Sequence, residues 1–135
     1  MTPARLSSSS PIRIPLAADA VRAGFPSPAA DYMQEQIDLN ALLTEDPNTT
    51  FLMQAGNNAM ANIVEDDYLV IDKAKAATHG SMVVVEYDGG FLLRRLHMQM
   101  GVYLLQADNS GYPVIEVPAD GIYIWGVVVG VVRKV

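Results

Sequence analysis

From Thr49 onward the chain alternates short apolar runs, rich in β-branched and aromatic residues, with clusters of Gly, Pro, Asp and Asn. Such runs read as strands bounded by turns. The candidates are Thr50 to Gln54, Tyr68 to Asp72, Met82 to Tyr87, Phe91 to Met98, Val102 to Gln106, Val114 to Val117 and Ile122 to Val132. Asp88-Gly89, with Gly90 after it, separates two of these runs and predicts a hairpin, because such residues accept positive φ. Asp108-Asn109-Ser110-Gly111 predicts a further turn. Residues 1 to about 30 differ: they are rich in Pro, Ser and Ala and carry neither apolar periodicity nor a continuous strand pattern, so an extended or mobile arm is expected. Ser27-Pro28 has the residues of a helix start, but Asp38-Leu39-Asn40-Ala41-Leu42-Leu43 is the better candidate for a short helix, ended by Pro47. Strands dominate and no βαβ alternation is present. The expected fold is therefore mostly β, a compact and mostly antiparallel domain over 31–135 preceded by an arm over 1–30.

Composition narrows the chemistry. With 135 residues, half of them hydrophobic, the chain has the material for one core. It has no cysteine, which excludes disulfides, thiolate metal sites and a cysteine nucleophile. His79 and His97 are the only histidines, so a site of three histidines is impossible and any Ser–His–Asp triad must use one of them. A formal net charge of -6 repels phosphate backbones, and direct nucleic-acid binding is not expected. Pro11, Arg13 and Pro15 interrupt any signal-peptide core near the N-terminus. The most apolar run, Ile122 to Val132, falls well short of the roughly 20 residues of a spanning helix and contains Gly126 and Gly130. No membrane association and a cytoplasmic location are expected.

Other polar groups have plain readings. Asn57, Asn58, Asn62, Glu65, Asp66 and Asp67 offer oxygen ligands but lack the spacing of a calcium loop, so a solvated loop is expected and neither metal nor cofactor. His79-Gly80-Ser81 pairs an imidazole with a hydroxyl, yet the glycine and the strand onset favour a turn. Arg94 and Arg95 are adjacent in a strand and point to opposite faces, so they form no common phosphate patch. Leu92, Arg94, Leu96 and Met98 share the more apolar face, where a guanidinium needs an acceptor; Glu65, Asp66 and Asp67 are the candidates. The methionines read as core filler, and one face of the last strand as a possible dimer surface.

The run Ala23-Gly24-Phe25-Pro26-Ser27-Pro28-Ala29-Ala30-Asp31-Tyr32 and the following Ile37-Asp38-Leu39-Asn40 and Leu42-Leu43 closely resemble the UmuD proteins, accessory subunits of an error-prone bacterial DNA polymerase. The similarity continues through Leu69-Val70-Ile71-Asp72, Thr78-His79-Gly80, Asp88-Gly89 with Phe91, and Gly126-Val127-Val128. Each motif is weak alone; their order and spacing are specific. The resemblance implies the β domain of the LexA and UmuD type, with the S24 peptidase fold, and a Ser–Lys autopeptidase that cuts its own arm. The matching bond here is Ala23-Gly24. LexA-type repressors carry a DNA-binding helical domain before that bond, which the Pro- and Ser-rich arm of this chain does not supply.

The resemblance also places the dyad. The family's Gly-Asp-Ser-Met motif matches Asn57-Asn58-Ala59-Met60, so the nucleophile position is Ala59, which has no oxygen to attack with. Counting from the Asp88-Gly89 hairpin puts Arg94 at the general-base position. Such a base must be neutral, and arginine keeps its proton inside proteins. The segment from Met60 to Asp67 is also shorter than the family's loop. The expectation is a catalytically inactive UmuD-like subunit of translesion synthesis, with a homodimer, a UmuC-like Y-family polymerase, the RecA filament and an active paralogue as implied partners. The alternative is an active serine autopeptidase, with an unrecognised nucleophile, that cleaves at Ala23-Gly24.

Overall fold

The computed structural model describes residues 4–5, 13–17 and 33–135. Its strands, in chain order, are β1 (Ala4–Arg5), β2 (Arg13–Ala17), β3 (Met33–Asp38), β4 (Thr50–Gln54), β5 (Tyr68–Asp72), β6 (Met82–Tyr87), β7 (Gly90–Gln99), β8 (Val102–Gln106), β9 (Ile115–Pro118) and β10 (Tyr123–Val132), with a single described helix α1 (Leu39–Leu43). The described residues fall into two compact units, one within Ser7–Glu45 and the other within Met1–Leu6 and Asp46–Val135.

In the smaller unit β2 and β3 pair antiparallel, Ile14 opposite Ile37 and Pro15 opposite Gln36. The residue pattern predicts neither strand. A two-stranded ribbon leaves one edge of each strand free, so Pro15, which has no N–H, is tolerated there. Helix α1 starts as the sequence predicts: Asp38 caps it, its carboxylate accepting the Asn40 N–H at 3.0 Å. Thr44 closes it by donating its N–H and its hydroxyl to the Asn40 carbonyl.

The larger unit is an antiparallel sheet of eight strands in the order β1-β4-β5-β10-β6-β7-β8-β9. All seven strands that the pattern predicts are in it, and β4, β5, β6 and β8 have the predicted ends. The fold is mostly β, as expected. Two apolar clusters occupy the sheet: Met53, Leu69, Ile71, Val84 and Trp125 in one, Val83, Val85, Leu96, Leu105 and Val127 in the other. Val84 belongs to one and its neighbours Val83 and Val85 to the other, as strand alternation requires. Strands β5 and β6 are thus buried on both faces, which is why Leu-Val-Ile and Val-Val-Val run without polar interruption.

Strand β10 lies between β5 and β6 and takes a bulge on each side, near Val128 and near Ile124. Gly126 is required there: a Cβ on it would lie 2.5 Å from the Ile71 side chain. The β6–β7 turn is the predicted hairpin, with Asp88 at φ 51° and Gly89 at φ 80° joining the paired Tyr87 and Gly90.

Candidate functional site

The segment between β4 and β5 is a closed loop. Ala55 donates its N–H to the Asp67 carbonyl and accepts from the Asp66 N–H, both at 2.8 Å, so the loop leaves and returns at one point. Asn62 and Asp66 adopt left-handed φ of 65° and 75°, which short amide and carboxylate side chains tolerate. Asp67 is buried, accepts the Val64 N–H, and receives the Arg133 guanidinium through two contacts of 2.6 Å. Arg133 also donates to the Asn62 carbonyl. The guanidinium holds the Asp67 carboxyl down at about 2 against an ordinary 3.8.

Ala59 sits in this loop and is fully buried, as is Met60 after it. The turn after β8 fastens the loop in place. Asn109 donates its N–H to the Ala59 carbonyl at 2.9 Å and its side-chain amide to the Asn58 carbonyl at 2.5 Å. Tyr112 donates its hydroxyl to the Asn58 side-chain oxygen, and Ala61 donates its N–H to Asp108. The Ala59 N–H goes to the Asn57 side-chain oxygen at 3.0 Å. Every backbone group of Ala59 therefore has a partner, and its methyl group brings no chemistry.

Arg94 lies at the centre of β7, in register with Val83, on the Leu96 face. It is buried at 5% exposure, as the alternation predicts for that face. Its partners differ from those expected. One guanidinium nitrogen donates to the Leu93 carbonyl at 2.7 Å, and the guanidinium carbon lies 5.2 Å from the centre of the Tyr112 ring, a cation–π contact. Asp67 pairs with Arg133 instead, and among the described residues no carboxylate forms an ion pair with Arg94. Its Nε is buried without a hydrogen-bond partner. Burial pushes the Arg94 pKa below the ordinary value, with Tyr112 opposing that shift. Tyr112 thus touches both halves of the site, meeting Arg94 with its ring and the loop of Ala59 with its hydroxyl. Sequence reading finds the turn but not this docking, because Asn58 and Tyr112 are distant in the chain and neither residue type signals the other.

Next to the site is a cavity of about 110 Å³ lined chiefly by Met53, Gly56, Asn57, Leu69, Val84 and Phe91. It is mainly apolar and suits an aliphatic side chain better than a charged ligand. His79, Gly80 and Ser81 form a turn. The Ser81 hydroxyl accepts the Thr78 N–H, His79 Nδ1 accepts the Met98 N–H at 3.0 Å, and the rings of His79 and His97 meet edge to face. Among the described residues no group of three His, Asp or Glu is placed to hold a metal ion, and no helix is long and apolar enough to cross a membrane. Ala23-Gly24 lies outside the described residues, as does Ser27-Pro28.

The sequence profile of the Peptidase S24-like family matches residues 15–129. Protein ImpA of Salmonella typhimurium is 37% identical over 128 residues, covering 89% of this chain and 83% of its own. Protein SamA of the same species is 37% identical over 122 residues, covering 89% and 85%, and Protein MucA of Escherichia coli is 32% identical over 119 residues, covering 85% and 81%. A profile that spans most of the sheet, together with relatives aligned along most of both chains, settles the family: the chain belongs to the Peptidase S24-like family, in its LexA and UmuD branch.

Proposed function

We propose that this chain is a UmuD-like accessory subunit of a translesion DNA polymerase in the SOS response, inactive in self-cleavage. The observation that carries the reading is the pair at the dyad positions. Ala59 offers a methyl group whose surroundings are closed by hydrogen bonds, and Arg94 is a buried cation stacked on Tyr112. A side-chain nucleophile needs a heteroatom with a reactive lone pair and a base needs a lone pair free to take a proton; the Ala59 methyl group has no heteroatom and the Arg94 guanidinium stays protonated. The domain then works through its surface, as one half of a homodimer and as a partner of a UmuC-like Y-family polymerase and the RecA filament. The exposed Tyr68, Val129, Val131 and Val132 on the β5–β10 side supply apolar surface for such contacts. The arm over 1–30, with Ala23-Gly24, serves as substrate for an active paralogue whose own dyad cuts it in trans.

The test mixes purified protein with RecA filament on single-stranded DNA and nucleotide, and separately raises the pH, while mass spectrometry follows the chain. The expected outcome is intact protein in both. A product beginning at Gly24, formed without any paralogue, overturns the reading and establishes the active autopeptidase.

A further inference from the structure

We infer that the Asn57 carboxamide is a third block to catalysis at this site, independent of Ala59 and Arg94: it occupies the backbone N–H that acyl transfer at position 59 would need. The inference builds on the proposed non-cleaving reading and adds a residue to it. When an oxygen at the nucleophile position attacks a peptide carbonyl, the carbonyl π pair moves onto its oxygen. That oxyanion must meet N–H donors already aimed at it, and the nucleophile's own backbone N–H is a common one. Here the Ala59 N–H donates to Asn57 Oδ1 at 3.0 Å, a side-chain turn spanning two residues.

The bond is not easily exchanged for another. The Ala59 carbonyl, the Asn58 carbonyl and side chain, and the Ala61 N–H are all held by residues 108–112, so the peptide carrying the Ala59 N–H cannot rotate towards a different acceptor. Asn57 also lines the apolar cavity beside the loop, where an extended chain would lay a side chain. Its carboxamide therefore already holds the N–H that a carbonyl delivered from that side would need. A single N–H serves one acceptor well, and a neutral internal acceptor at short range defeats an incoming carbonyl before charge has developed on it.

Installing the dyad isolates this effect. In the variant Ala59→Ser with Arg94→Lys, the new hydroxyl attacks the Ala23 carbonyl carbon and its proton passes to the neutral amine at position 94. That amine returns the proton to the Gly24 nitrogen as the Ala23-Gly24 bond breaks, and water then hydrolyses the ester. Adding Asn57→Ala frees the N–H and should speed appearance of the Gly24 product roughly 100-fold over the double variant, the usual worth of one oxyanion donor. Adding Asn57→Asp instead keeps an acceptor in place and should leave the rate at the level of the double variant. A general loosening of the loop would not separate alanine from aspartate in this way. The inference is overturned if the alanine triple variant is no faster than the double, including the case in which neither cuts, or if the aspartate triple is equally fast. Amide hydrogen exchange on Asn57→Ala alone checks the bond without catalysis: the Ala59 amide should exchange roughly tenfold faster while β6 amides are unchanged, and an unchanged Ala59 amide overturns the inference. Self-cleavage by the unaltered chain would instead remove the non-cleaving reading and leave the exchange measurement to decide the role of Asn57.

Discussion

Arg94 and Arg95 are neighbours in one strand, and the sheet treats them in opposite ways. Arg95 faces the turn after β8, where Asp108 takes its guanidinium through two contacts of 2.9 Å and the Gly80 carbonyl takes a third at 3.0 Å. Asp108 raises its pKa. Arg94, on the opposite face, is desolvated, has one carbonyl and one ring for company, and keeps a buried Nε unsatisfied. Burial lowers its pKa. The same side chain thus supports the fold on one face and strains it on the other. A cation retained at a cost to the sheet is one that packing and pairing within the sheet do not account for.

The largest effect expected from this contrast follows removal of the buried cation. Arg94→Met keeps an unbranched apolar stem and abolishes the desolvated charge, giving up the cation–π contact with Tyr112 and the hydrogen bond to the Leu93 carbonyl. Replacing buried ionic groups with apolar ones of similar size is neutral to stabilising, and here no carboxylate loses its partner. The variant should gain about 2 kcal/mol, read as a higher denaturation midpoint at unchanged slope. A loss of stability would mean that Arg94 has a strong partner and would dissolve the contrast with Arg95.

Strand alternation makes Arg94's burial legible in the sequence, since Leu92, Leu96 and Met98 share its face. The β runs from Thr50 to Val132 are equally legible, because each carries an apolar pattern and ends at a turn residue. Partners are not. Asp67 carries no mark that assigns it to Arg133, and the expectation that the acidic loop serves Arg94 fails because the loop folds back on itself through Ala55. Strands β2 and β3 are not legible for a different reason: Arg13–Ala17 contains Pro15, and Met33–Asp38 alternates few strongly apolar residues, so neither has a pattern to read. Local periodicity reports which side of a sheet a residue takes, while a loop's choice of anchor is made by geometry far along the chain.

A smaller effect is expected in acid, and it concerns a third arginine that resembles Arg95. Asp67, tied to Arg133, titrates at about 2 when folded and near 3.8 ordinarily. A carboxylate whose pKa is depressed by folding contributes stability that is complete above the unfolded value and disappears as the pH falls through the folded one. Asp108 is shifted in the same direction by Arg95, its main cause. Melting temperature should therefore fall as the pH goes from about 4 to about 2, and Asp67→Asn should flatten part of that fall. An Asp67→Asn protein with the parent's acid profile would show that the Arg133 pair contributes nothing.

The smallest effect expected is loss of the Arg95 pair, and salt is what makes it informative. The Arg95 side chain is 33% exposed and that of Asp108 19%, so solvent screens their attraction and truncation is mild. Arg95→Ala should cost about 0.5 to 1 kcal/mol in dilute buffer. Asp108→Ala should cost more, because the Ala61 N–H also loses its acceptor and the loop holding Ala59 loses a fastening. Raising the salt to about 1 M shortens the screening length to roughly 3 Å and should shrink the cost of Arg95→Ala towards zero. The gain from Arg94→Met should not move, because desolvation of a buried charge does not depend on ions in the bulk. If both variants respond to salt alike, the two faces of β7 present their arginines to the same medium, and the burial of Arg94 no longer explains why its site differs from that of Arg95.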